Sequence, residues 1–147
     1  MTTNELIMAV VNAGSKVHKA CGVGLSHNVY EECIVYELSK IGIKAERQKQ
    51  VSLKYEKLEF SDAFTVDILV ENKLLVGLKP VNVSPEAYSL FVEGYMKHCS
   101  SSVGLVLDFY VVNFRSGVKI IEKSAFKPIA HPLIYTEYQY GNKRNKK

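Results

Sequence analysis

Apolar positions recur at helical spacing near the start of the chain. Leu6, Val10, Ala13 and Val17, with Ile7, Val11 and Gly14 beside them, predict an amphipathic helix over residues 4–20. Gly22 and Gly24 end it in a turn. A second helix is expected next, capped by Ser26 or Asn28, with Glu31 and Glu32 toward its positive end. Its apolar face is Tyr30, Ile34, Leu38 and Ile41, and Gly42 stops it. From Ile43 the period falls to two, which predicts three successive strands over 44–54, 58–70 and 73–80. Glu71-Asn72-Lys73 is the polar turn between the second and third. The third strand is apolar nearly throughout, the pattern of a strand covered on both faces. Ser84 caps a third helix that has Pro85 and Glu86 in its first turn and runs to about Cys99. A fourth buried strand over 103–107 and a short fifth over 118–121 complete the order ααβββαββ. That order describes an α/β fold, a mixed central sheet flanked by helices.

A chain of 147 residues is expected to form one domain with a real core. The domain is placed at 1–123, with a C-terminal extension over 124–147 that ends in a basic, disordered run. No apolar run approaches the roughly 20 residues needed to cross a bilayer, and the N-terminus lacks the pattern of a signal peptide, so no membrane partner is expected. The three cysteines, Cys21, Cys33 and Cys99, fit neither a disulfide framework nor a zinc site, which points to a reducing cytoplasm. Of the 19 Lys and Arg residues, Lys143, Arg144, Lys146 and Lys147 lie in the last five positions; setting them aside leaves 15 basic against 15 acidic residues. A neutral body argues against a broad electrostatic footprint for DNA, while leaving room for a local basic groove. The four terminal basic residues are the candidate phosphate contacts, although such runs are commonly just solvated ends. Upstream of them, Pro128, Pro132, Tyr135, Tyr138 and Tyr140 suit either a packed extension or contact with a partner, a second copy included.

The candidate chemistry lies on the two central strands. A turn centred on Asn72-Lys73 places Asp67 close to Gly77, Leu78 and Lys79 across the hairpin. Gly77 and Lys79, two apart on a strand, share a face. A metal-dependent phosphodiesterase needs carboxylates to hold Mg²⁺ and a lysine to stabilise charge on the phosphate in flight. Asp67 and Lys79 suit two of those roles, but Gly77 offers no ligand where a second carboxylate belongs. An isolated Asp and Lys at this spacing are equally what a half-buried ion pair looks like.

Wider stretches of sequence carry a resemblance. The runs 17–25 (Val-His-Lys-Ala-Cys-Gly-Val-Gly-Leu), 29–32, 36–38 and 46–48, with Val66-Asp67-Ile68-Leu69-Val70, Leu78-Lys79, Gly94-Tyr95 and Val103-Gly104-Leu105, resemble the GxxExxY protein family. That family lies in the PD-(D/E)XK nuclease superfamily. The resemblance spans roughly residues 5–122 and implies a restriction-endonuclease-like fold. The motif falls on Gly24 to Tyr30, with His27 in place of its Glu. The strand Asp falls on Asp67, the Glu of the Glu-x-Lys pair on Gly77, and its Lys on Lys79. A helix Gln falls on Phe91, and an arginine two before the Asp falls on Thr65. The resemblance therefore implies Asp67 and Lys79 as remnants of a catalytic site, degenerate at Gly77 and His27.

Three functions follow from these residues. The leading expectation is a nuclease-like protein with an eroded metal site, weak or inactive in catalysis, acting as a nucleic-acid-associated or interaction module with no cofactor. Asp67 and Lys79 are then expected to pair with each other. The alternative is an active nuclease using Mg²⁺ or Mn²⁺ through a carboxylate relocated from Glu31, Glu86 or Glu93, or a transition metal held by Asp67 and His27. A third is an oligomeric structural protein that never contacts nucleic acid. His18 reads as helix packing, Cys33 as core, and His98 and His131 have no evident partner in the sequence.

Overall fold

The computed structural model describes residues 1–99 and 101–122. Helix α1 (Thr3–Cys21) opens on a capping box: the Glu5 amide donates to Thr2 Oγ1 at 3.1 Å, and the Thr2 amide donates to Glu5 Oε1 at 2.7 Å. It ends where Gly22 takes a φ of +77°, a conformation open to glycine at no steric cost. Helix α2 spans His27–Ser39, with Ser26 at the N-cap. Strands β1 (Ala45–Tyr55), β2 (Leu58–Val70) and β3 (Leu74–Leu78) form an antiparallel meander. Helix α3 (Pro85–Met96) then crosses over so that β4 (Val103–Leu107) lies parallel to β3, and a 3₁₀ turn over Phe114–Gly117 leads to antiparallel β5 (Val118–Glu122). The sheet is five-stranded in the order β1-β2-β3-β4-β5.

The predicted order of elements is the observed one. Helix α3 stops at Met96 instead of about Cys99, because the Lys97 amide turns back tightly onto Gly94 and Tyr95. Every residue of β3 is buried, as its unbroken apolar run requires. Helices α1 and α2 cover one face through Leu6, Val10, Tyr30, Ile34 and Leu38 against Ile68, Val76, Leu78 and Leu107. Helix α3 covers the other through Tyr88, Val92 and Met96 against Leu75, Val106 and Ile121. The 124–147 extension and the residues expected to act within it lie outside the described residues.

Strand β2 changes sides along its length. Ile68 and Val70 pack with the α1–α2 core, whereas Val66 and Phe64 pack with the α3 core. Residues two apart on a regular strand share a face, so the ribbon twists sharply between these pairs. Across the ladder, where Arg47 pairs with Ile68 and Lys49 with Val66, Gln48 takes a φ of +53°. A non-glycine residue there is strained, and its position opposite Asp67 puts the distortion at the candidate site. Past the twist, residues 54–63 are all exposed and form a projecting two-stranded arm.

Candidate active site

The hairpin is centred on Asn72 rather than between Asn72 and Lys73, and still brings Asp67 to the group of residues the turn predicted. Ile68 pairs with Val76 and Val70 with Leu74, which brings Asp67 level with Gly77. Asp67 Oδ2 accepts from the Leu78 amide at 2.8 Å and from the Tyr88 hydroxyl at 3.1 Å. Tyr88 comes from α3 and is buried. Burial and the adjacent Asp67 charge push its hydroxyl well above the usual tyrosine range, so it stays a donor. A Cβ placed on Gly77 would meet Tyr88 Oη at 2.7 Å and Val92 Cγ2 at 3.1 Å. The phenol thus fills the space that a side chain at position 77 would enter. Phe91, the helix position suggested by the resemblance, is exposed and touches Tyr88 edge-on instead.

Lys79 does not pair with Asp67. Its ammonium donates to the carbonyls of Val83 at 2.6 Å and Pro80 at 2.8 Å, and lies 3.7 Å from Asp108 Oδ2. This corrects the expected Asp67–Lys79 pair. The parallel register matches Leu78 with Leu107, so the next residue on each strand, Lys79 and Asp108, meet just past the strand ends. Asp108 Oδ1 accepts from the Tyr110 amide. Both side chains of the pair are largely withdrawn from water. Asp108 was missed in the sequence because its role comes entirely from the β3–α3–β4 crossover.

The helical motif is structural around the site. The Tyr30 hydroxyl donates to the Gly22 carbonyl at 2.6 Å and accepts from the Leu25 amide at 3.1 Å, closing the loop between α1 and α2. Its ring stacks on Phe109 at 4.2 Å. His27 Nε2 lies 3.1 Å from the Lys79 carbonyl, and its ring stacks on Tyr110. That nitrogen, engaged with a backbone oxygen, gives His27 a positioning contact to β3. His18 packs against Phe109 and Phe114, as expected for a helix-packing residue.

Glu31, one turn beyond His27, is 1% exposed. Its Oε1 accepts from Arg47 at 3.0 Å and Gln48 at 2.8 Å, and Arg47 also contacts Asn28. Burial raises the Glu31 pKa above the ordinary range, and the charge of Asp67 adds to the rise. The two carboxylates therefore sit in one electrostatic field. Glu86 is exposed and Glu93 half-buried. Among the described residues, no three His, Cys, Asp or Glu side chains are grouped to hold a metal ion. Asp67 Oδ2 takes two donors, position 77 has no side chain, and Glu31 Oε1 is held by Arg47 and Gln48.

A family model of the PD-(D/E)XK nuclease superfamily matches residues 4–121. The chain belongs to the PD-(D/E)XK nuclease superfamily. The three helices and mixed five-stranded sheet among the described residues are consistent with the restriction-endonuclease-like fold. No curated protein and no solved structure gives a significant match. No helix among the described residues is long and apolar enough to cross a membrane.

Proposed function

We propose that this superfamily member does not hydrolyse phosphodiesters and serves as a nucleic-acid-associated module built on a nuclease fold. The observation that carries the reading is the Tyr88 phenol against Gly77: it takes the place of an acidic side chain and ties up the remaining aspartate. Lys79, turned to Asp108 and two carbonyls, is not directed at the Asp67 carboxylate. The GxxExxY resemblance, with His27 and Gly77 at its acidic positions, agrees with this reading. The four basic residues Lys143, Arg144, Lys146 and Lys147 supply the candidate phosphate contacts.

Two measurements test it. Calorimetric titration with Mg²⁺ and Mn²⁺ is expected to give no sub-millimolar binding; such binding, abolished by Asp67→Ala, defeats the inactive reading. Anisotropy with labelled DNA and RNA is expected to give affinity that falls steeply between about 50 and 200 mM salt and drops when the four basic residues become alanine. Absence of binding at low salt defeats the nucleic-acid part and favours the structural alternative.

One observation favours a second reading, an active nuclease. Glu31 is a buried carboxylate within the field of Asp67. That reading requires metal-dependent cleavage lost in both Asp67→Ala and Glu31→Gln.

A further inference from the structure

Two contacts fix how α1 and α2 lie side by side. Lys16 Nζ meets Glu37 Oε1 at 3.0 Å, and the Tyr30 hydroxyl donates to the Gly22 carbonyl at 2.6 Å. Residue numbers rise along α1 as they fall along α2, so the helices are antiparallel. Tyr30, Cys33 and Glu37 share one stripe of α2, at the i, i+3, i+7 spacing of a helix face. The outer two of these make the contacts to α1, which puts Cys33 opposite the stretch between Lys16 and Gly22. Cys21 lies in that stretch, on the stripe of the buried Gly14 and Val17. Both cysteines pack on the same apolar cluster, and both remain partly exposed. Burial pushes the Cys33 thiol up, and the Cys21 thiol beside it adds to the rise. Well separated in the sequence, the two sulfurs become neighbours only when the helices fold back on each other.

We propose that Cys21 and Cys33 form a reversible modification site, a dithiol that closes to a disulfide across α1 and α2. The oxidant is a small disulfide such as oxidised glutathione. One chain thiol, as its thiolate, attacks the glutathione S–S bond and expels one glutathione thiolate. The second chain sulfur attacks the resulting mixed disulfide and expels the other. Two electrons pass to the oxidant, and the two protons lost by the cysteines end on two molecules of reduced glutathione. The bridge encloses residues 22–32, which include the Gly22–Tyr30 closure and His27 at the Lys79 carbonyl. It staples the loop that leads into His27. The bridge needs no nucleic acid and stands apart from the functional reading above.

The test equilibrates the full chain with graded ratios of oxidised to reduced glutathione, both folded and in concentrated urea. Acid quenching, alkylation and peptide mass spectrometry then read the products. The folded chain is expected to lose two hydrogens and to yield peptides joined at Cys21 and Cys33 within one chain. Bridge formation is expected to be favoured in the folded chain over the unfolded one by about tenfold or more, because the fold holds the sulfurs together. By linkage, the bridged chain then unfolds at higher urea than the reduced one. Dithiothreitol is expected to return the parent mass and urea midpoint. Cys99→Ser is expected to keep the bridge. Cys21→Ser and Cys33→Ser are each expected to abolish it, leaving a glutathione adduct on the remaining member of the pair. A bridge no more favoured folded than unfolded, a bridge that uses Cys99, or glutathione adducts without a bridge in the folded parent overturns the proposal.

Discussion

The Tyr88 hydroxyl occupies the volume that a side chain on Gly77 would enter: a Cβ there would stand 2.7 Å from Tyr88 Oη. The absence of a side chain at position 77 and the presence of a tyrosine on α3 are two halves of one arrangement, because the phenol also donates to Asp67. Restoring the acid alone does not restore a site.

Gly77→Glu is therefore expected to overpack the α3 interface, costing about 1–3 kcal/mol, and to gain no Mg²⁺ affinity. Gly77→Glu combined with Tyr88→Ala makes room for the carboxylate beside Asp67 and is expected to bind Mg²⁺ measurably. Urea unfolding and calorimetry read the two effects. A single variant as stable as the parent would show that Tyr88 is no obstacle.

Tyr88→Phe keeps the ring and deletes the donor. Asp67, half-buried, then loses one of its two hydrogen bonds at Oδ2. The expected loss is about 1–2 kcal/mol in chemical denaturation, with an unchanged denaturant slope.

Lys79 and Asp108 should act as a unit. Removing one partner leaves the other charge withdrawn from water, and Lys79→Met or Asp108→Asn is expected to cost about 3 kcal/mol. A double-mutant cycle should show strong coupling between these two and little between Lys79 and Asp67. The reverse pattern would reinstate the pairing expected from sequence.

Glu31 gives the pH dependence a sign. Its pKa is raised on folding, chiefly by burial, so the folded state favours the protonated form. The associated stability is fully present below the ordinary glutamate value and is lost as pH rises through the higher folded value. Relative to Glu31→Gln, the parent should be most stable in acid and lose ground toward neutral pH. Denaturation of both proteins across that range checks it; a difference independent of pH removes the claim.

The sequence by itself determined the elements and one local meeting. The capping box at Thr2 and Glu5, the Ser84 cap and the unbroken apolar run of β3 are short-range signals, and each marks its element where it occurs. Asp67 and Gly77 were legible as neighbours because a tight hairpin fixes its own register. Only the tertiary structure decided what surrounds them. Tyr88 rather than Phe91 reaches Asp67 because the rotation of α3 about its axis is set by Val92 and Met96 packing on the sheet. Asp108 claims Lys79 because a parallel crossover aligns two strand ends that the sequence keeps far apart. Glu31 meets Arg47 and Gln48 where β1 twists, a distortion that alternation of polar and apolar residues does not encode. Short-range periodicity specifies which segments fold and which faces they bury. Partners brought together by packing depend on the relative rotation and offset of whole elements, which no local pattern contains.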